Sequence, residues 1–197
     1  MSEHSMDSLP LSAKSDLGGI AYSRDTIDQL YASICAWLRS SRLSTPMLSY
    51  VNPHVFNLAL KNEQLRAFLA EADIVTVDGI GFATGVRLVQ GQCQTRTVMT
   101  PLFDRVLATE DIPNLKAALI GSTDSIVAQA AAAMNKAARR IQIVDVCHGY
   151  HAIEDYLVWL KEHPGIDVVL VAMGTPRSEE LMLAAKPCAK GKMFWNV

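Results

Sequence analysis

Ala72-Asp73-Ile74-Val75-Thr76-Val77-Asp78-Gly79 joins a short apolar run of strand character to a carboxylate at a glycine-marked reversal of the chain. Ile74, Val75 and Val77 are β-branched and suit a strand buried on both faces. Beyond Gly79-Ile80-Gly81 the period changes, because Phe82, Val86 and Val89 are spaced by four and three, as on one face of a helix. A strand running directly into a helix is the unit of a parallel sheet, and such sheets bind ligands outside the carboxyl ends of their strands. Asp78 occupies that position. This segment leaves two roles open to it: a helix N-cap, which the segment taken alone favours, or a base facing a ligand. A hairpin is disfavoured by the helical period that follows.

The same alternation extends in both directions. Residues 24–40 place Ile27, Leu30, Tyr31, Ile34, Trp37 and Leu38 on one helical face, and 47–51 form a strand candidate. Asn52-Pro53 fits an N-cap followed by proline at the first helical position, with a second helix at 63–71. Further strands are predicted at 115–120, 141–146, 167–172 and 193–197, separated by helical patterns at 101–109, 124–138, 153–162 and 177–185. Strands separated by single helices imply right-handed crossovers, hence an α/β, Rossmann-like and mostly parallel sheet with helices on both faces. Residues 1–22 are rich in Ser, contain Pro10 and Gly18-Gly19, and lack sustained periodicity, so they are expected to be a disordered leader before a single domain at 23–197.

Composition narrows the function. The chain has 197 residues, 50% hydrophobic and 19% charged, enough for one well-filled core. A net charge of -2, with no basic run beyond Arg139-Arg140, argues against a nucleic-acid partner. Cys35, Cys93, Cys147 and Cys188 never form Cys-x-x-Cys, so neither a zinc ribbon nor a dithiol site is signalled, and reduced thiols in a cytoplasm fit best. A secretory signal and a membrane-spanning apolar run are both missing from the sequence.

Three more strand ends carry polar chemistry. Leu119-Ile120-Gly121-Ser122-Thr123-Asp124 places backbone N–H groups and a helix N-terminus where a phosphate can sit, although an ordinary capped turn fits equally well. Met173-Gly174-Thr175-Pro176-Arg177-Ser178-Glu179 repeats that architecture, with Arg177 able to offer a fork to a diphosphate. Cys147-His148-Gly149-Tyr150-His151 invites a metal reading, but a loop shaping a cleft fits better because no acidic ligand is adjacent. Gly79-Ile80-Gly81 with Gly85 also raises a dinucleotide-binding NAD(P)-dependent Rossmann enzyme, a weak signal since an Asp immediately precedes it. A non-catalytic nucleotide-binding paralogue is the other alternative.

In order and spacing these motifs resemble the WecG/TagA/CpsF glycosyltransferase family, glycosyltransferase family 26, over roughly residues 45–197. Asn52, the Ala72–Gly79 stretch, Arg96, Leu119-Ile120-Gly121, His148-Gly149-Tyr150 and 169–179 carry the resemblance. It implies an inverting, metal-independent transfer of a sugar, of N-acetylmannosamine type or a related hexose, from a UDP-sugar to a polyprenyl-diphosphate-linked saccharide in cell-surface polysaccharide synthesis. Asp78 would be the general base. Substrate contacts would come from Asn52, Gly79, Arg96, Gly121, His148, Gly149, Tyr150, Gly174, Pro176, Arg177, Ser178 and Glu179. No cofactor is implied beyond the donor, and no metal. The absence of Asp-x-Asp from the chain agrees with that. The implied setting is cytoplasmic, peripheral at the inner face of the cytoplasmic membrane, with self-association left open.

The chain departs from the family pattern at Tyr50, where threonine is usual, at Ser178, where glutamine is usual, and at Met99 and Pro101 in the stretch after Arg96. These positions bear on donor specificity and activity. The family also continues past the final strand with residues that complete the donor site. The expectation is therefore a chain lacking that C-terminal part, weak or inactive in turnover.

Overall fold

Both faces of the central strands are apolar, and the fold that results covers both. The computed structural model describes residues 9, 11, 13–91, 94 and 96–197. In chain order they form β1 (Ser15–Leu17), β2 (Ile20–Tyr22), α1 (Ile27–Arg39), β3 (Met47–Val51), α2 (Pro53–Ala59), α3 (Glu63–Glu71), β4 (Ile74–Val77) and α4 (Ile80–Gln90). There follow α5 (Met99–Ala108), β5 (Leu115–Gly121), α6 (Asp124–Ala137), β6 (Ile141–Cys147), α7 (Ile153–Glu162), β7 (Val168–Ala172), α8 (Arg177–Ala185) and β8 (Met193–Asn196).

Six strands pair in the order β4-β3-β8-β7-β5-β6, all parallel. This is the α/β, Rossmann-like sheet that the sequence predicts. Side chains alternate across it: in β7, Val169 and Val171 pack toward α2, α3, α4, α7 and α8, while Val168 and Leu170 pack toward α1, α5 and α6. Burial on both sides explains why these strands are continuous apolar runs rather than alternating ones. Trp195, 1% exposed, meets Phe103 of α5 edge-to-face at 5.2 Å and anchors the second layer.

The expected leader needs correction at 15–22. Those residues form an antiparallel hairpin whose Ile20 and Tyr22 are fully buried. Just past it, the Ser23 N–H donates to the Val75 carbonyl at 2.8 Å and the Val75 N–H donates to Ser23 Oγ at 3.0 Å. The chain thereby covers the edge of β4, which would otherwise present unpaired backbone groups. Residues 1–8, 10 and 12 of the expected leader lie outside the described residues, as does Cys93. Val89, expected on the packed face of α4, is 73% exposed, and Phe82 and Val86, with the partly buried Ala83, hold that helix to the core.

Candidate active site

Each strand end in the parallel sheet delivers its following turn to one edge. Asp78 stands there, half-buried, with its N–H donating to the Val51 carbonyl of β3 at 2.9 Å. The capping role is not realised. Gly79, with φ +89, is the N-cap residue of α4, and no side chain caps that helix. The positive φ turns the chain sharply and leaves the carboxylate at the sheet edge. It lines a cavity of about 630 Å³ together with Tyr50, Met99, Phe103, Met134, Ala172 and Asn196. Its walls, contributed by α5 and α6, are largely apolar.

A second cavity, about 470 Å³, is lined by Ser122, Gly149, Tyr150, Ala172, Met173 and Arg177. Ala172, at the carboxyl end of β7, borders both. The polar cavity is built from tight turns: the Gly149 N–H donates to Ser122 O at 2.8 Å, and Ser122 holds φ +51. Arg177 is fixed by a hydrogen bond from Nη2 to the His151 carbonyl, while its buried Nε has no acceptor among the described residues. A buried guanidinium N–H without a partner is costly unless a ligand supplies one. The helices that follow β4, β5 and β7, namely α4, α6 and α8, lack side-chain caps, whereas α1, α2 and α3 have them. The first-turn N–H groups and positive dipole ends of α4 and α6 are thus open to anionic ligands at this edge, whereas in α8 the Ser178 N–H already donates to the Gly174 carbonyl at 3.0 Å.

The remaining sequence candidates fall into three groups. Gly121, Gly149, Tyr150 and Arg177 stand at the polar cavity or its turns; Tyr150 is 72% exposed. His148 accepts from the Tyr150 N–H at 3.2 Å, and its ring stacks on His151 at 3.9 Å. Gly174 and Pro176 form the turn before α8. Asn52 spends its carboxamide oxygen capping α2, accepting from Val55 N at 2.9 Å, and Arg96 lies exposed beside Thr97, whose N–H donates to Val77 O at 3.0 Å. Neither lines the two cavities.

Ser178 and Glu179 require correction. They are 0% and 1% exposed and belong to neither cavity's walls. Ser178 Oγ accepts from Met173 N at 3.1 Å and closes the turn. Glu179 Oε1 accepts from Thr175 Oγ1 and Asn196 Nδ2, each at 2.8 Å, and Glu179 also borders a small apolar cleft between α3 and α8. Thr175 and Asn196 were not singled out from sequence, and Tyr50 only as a departure from the family pattern. The available signal was a polar residue ending an otherwise apolar strand, as in Phe194-Trp195-Asn196.

Burial is the main reason the Glu179 carboxyl is pushed up from its ordinary value, opposed by hydrogen bonds from Thr175, its own backbone and Ser49. A carboxyl raised on folding contributes stability that is fully present below its unfolded pKa and lost as pH rises through the folded one. Glu179→Gln keeps the accepting oxygen and removes that titration. Its melting temperature relative to wild type is therefore expected to improve as pH rises from about 4 to about 8, spanning the ordinary glutamate range. A difference that does not change with pH would mean Glu179 titrates as it does in the unfolded chain. Glu179→Leu, which strands the donors of Thr175 and Asn196, should cost about 1–3 kcal/mol.

The glycines after Asp78 do not prepare a dinucleotide site. A Cβ on Gly81 would lie 2.8 Å from Pro53 Cγ, so this glycine serves the packing of α4 against α2.

A model of the family described as "Glycosyl transferase WecG/TagA/CpsF family" matches residues 15–197. Among curated proteins, an N-acetylglucosaminyldiphosphoundecaprenol N-acetyl-beta-D-mannosaminyltransferase of Staphylococcus aureus (strain MRSA252) is 23% identical over 186 residues, covering 94% of this chain and 73% of that protein. Its counterpart in Staphylococcus aureus (strain NCTC 8325 / PS 47) is 23% identical over 172 residues, covering 87% of this chain and 67% of its own length.

Proposed function

Because this chain belongs to the WecG/TagA/CpsF glycosyltransferase family, matched over residues 15–197, we propose that it transfers an N-acetylmannosamine-type or related hexose from a UDP-sugar to a polyprenyl-diphosphate-linked acceptor. The names of the Staphylococcus aureus relatives support both the sugar and an acceptor carrying N-acetylglucosamine on a lipid diphosphate. The observation that carries the reading is the pair of cavities with Ala172 in both walls, one holding a carboxylate and the other an arginine beside an uncapped helix end.

In this mechanism the acceptor hydroxyl lies against Asp78 in the apolar cavity, and the donor diphosphate lies in the polar one. Asp78 takes the hydroxyl proton as the oxygen bonds to the anomeric carbon from the face opposite the leaving group. The bond from that carbon to the diphosphate oxygen breaks, and UDP departs with the electron pair. Arg177 and the N–H groups of the Gly121-Ser122 turn stabilise the charge that develops on it. With no Asp-x-Asp in the sequence, the proposal assigns this task to protein cations and dipoles rather than to a divalent metal. No helix among the described residues is long and apolar enough to cross a membrane, so the lipid-linked acceptor would be met from the membrane surface.

UDP or a UDP-sugar at about 100 times its dissociation constant is expected to stabilise the protein by about 2.7 kcal/mol. For a chain of this size that raises the melting temperature by about 5–10 °C. Thermal denaturation with UDP, UDP-N-acetylmannosamine and NAD in parallel checks this. Protection by NAD alone would transfer the site to the nicotinamide class, and protection by none of them would remove the nucleotide reading.

A further inference from the structure

Tyr156 of α7 is fully buried in the core layer that also holds Leu160 and Leu181. Its hydroxyl donates to the His148 carbonyl at 2.9 Å and accepts from the His151 N–H at 3.1 Å, so the one proton and an acceptor lone pair are both in use. Its ring meets that of His151 edge-on at 5.7 Å. A phenylalanine would fill the same space in the core. What the oxygen adds is a hold on both ends of the loop 148–151.

That loop is part of the polar cavity. Gly149 and Tyr150 line it, and a Cβ on Gly149 would lie 3.0 Å from Ser122 N, so the loop rests backbone against backbone on the Gly121-Ser122 turn. At its far end the His151 carbonyl accepts from Arg177 Nη2. The main chain of His151 is thus held through its N–H by the phenol and holds the guanidinium through its carbonyl. The next N–H, of Ala152, donates to Asp155 Oδ2 at 3.1 Å, so the N–H groups on both sides of that carbonyl are tied to the first turn of α7. Arg177 is fixed at one corner, and its buried Nε is left without an acceptor among the described residues. A guanidinium restrained in advance loses less freedom when an anion binds it.

We propose that Tyr156 is a positioning residue for nucleotide binding: through the main chain of His151 it holds Arg177 in place on the wall of the polar cavity, ready for the donor's diphosphate. The inference rests on the donor reading of that cavity given above. It assigns Tyr156 no contact with substrate, since the side chain lines a separate cavity on the other side of the loop, with Cys147 and Trp159.

Calorimetric titration of the full chain with UDP, on wild type, Tyr156→Phe, Arg177→Ala and the double variant, tests the link. Tyr156→Phe is expected to weaken UDP about tenfold and Arg177→Ala about thirtyfold, as loss of hydrogen bonds to a charged group implies. The double variant should bind within about twofold of Arg177→Ala alone, because without the guanidinium the phenol has nothing to position. If Tyr156→Phe does not fold in plain buffer, the four titrations are made in sucrose, which favours the compact state. A lowered melting temperature with unchanged UDP affinity in Tyr156→Phe would make the hydroxyl a stabilising group only and overturn the inference. Losses that multiply in the double variant would overturn it as well, since Tyr156 would then act by a route that bypasses Arg177. A wild-type chain that binds no UDP refutes the functional reading itself.

Discussion

Asp78→Asn is expected to lower sugar transfer by about a thousandfold, within the range that removal of a positioned general base produces, while UDP affinity stays within about twofold of wild type. Asn matches Asp in size and places an amide where the carboxylate was, so the cavity with Tyr50 and Met99 keeps its shape. It cannot accept the acceptor hydroxyl's proton. Because no side chain caps α4, the substitution removes no helix cap, and the melting temperature should change by less than about 1 kcal/mol equivalent. A capping aspartate would behave in the opposite way, losing stability and keeping turnover. Steady-state transfer assays alongside calorimetry and thermal denaturation separate the two. Undiminished transfer would remove Asp78 from the chemistry and leave it a residue of the turn.

That choice could not be made from residues 72–79 alone, and the reason is local. An aspartate before a glycine at a strand end has the same sequence whether its side chain folds back onto the helix or faces outward. The resolving fact is the backbone: Gly79, not Asp78, takes the N-cap position. Elsewhere the strands and helices were legible because each is long enough to show its period, and α7 and α8 run over the residues predicted for them. The hairpin at Ser15–Tyr22 was not legible. Its strands have three residues each, too few for alternation to register, and its order comes from docking on β4 in the middle of the chain.

Glu179 shows a different limit. Polar residues after a glycine turn at a helix start were read as facing a ligand, yet Ser178 and Glu179 point inward with Leu181, Met182 and Ala185. The spacing of 178, 181, 182 and 185 follows the buried face of a helix and contained that information. What no spacing could supply was the partner set, since Ser49 lies 130 residues away and reaches Glu179 only because β3 and β8 are adjacent in the sheet.

Gly121→Ala should be nearly as damaging as loss of the base, by a route through the backbone. Gly121 pairs with Ala172 where β5 and β7 end, and a Cβ there would lie 2.2 Å from the Ala172 carbonyl oxygen and 2.6 Å from its carbon. Both are main-chain atoms held in the sheet, so the strands must part to admit a methyl group. Overpacking of this kind costs about 1–3 kcal/mol, equivalent to a fall of about 3–10 °C in melting temperature for a domain of this size. The functional loss should be larger than the fall in stability suggests. Ala172 borders both cavities, and the adjacent Ser122 lines the polar one, so in the proposed mechanism parting the strands moves the donor and acceptor subsites relative to each other. A misplacement of about 1 Å in such an arrangement can cost about a hundredfold in rate. Gly174→Ala is the control: its φ is +77 but no atom lies within 4 Å of the added Cβ, so it should show only the roughly 1 kcal/mol of a strained backbone. Thermal denaturation and UDP titration of the two variants side by side test the difference, and a Gly121→Ala protein that melts and binds UDP like wild type would mean the β5–β7 junction does not hold the two subsites in register.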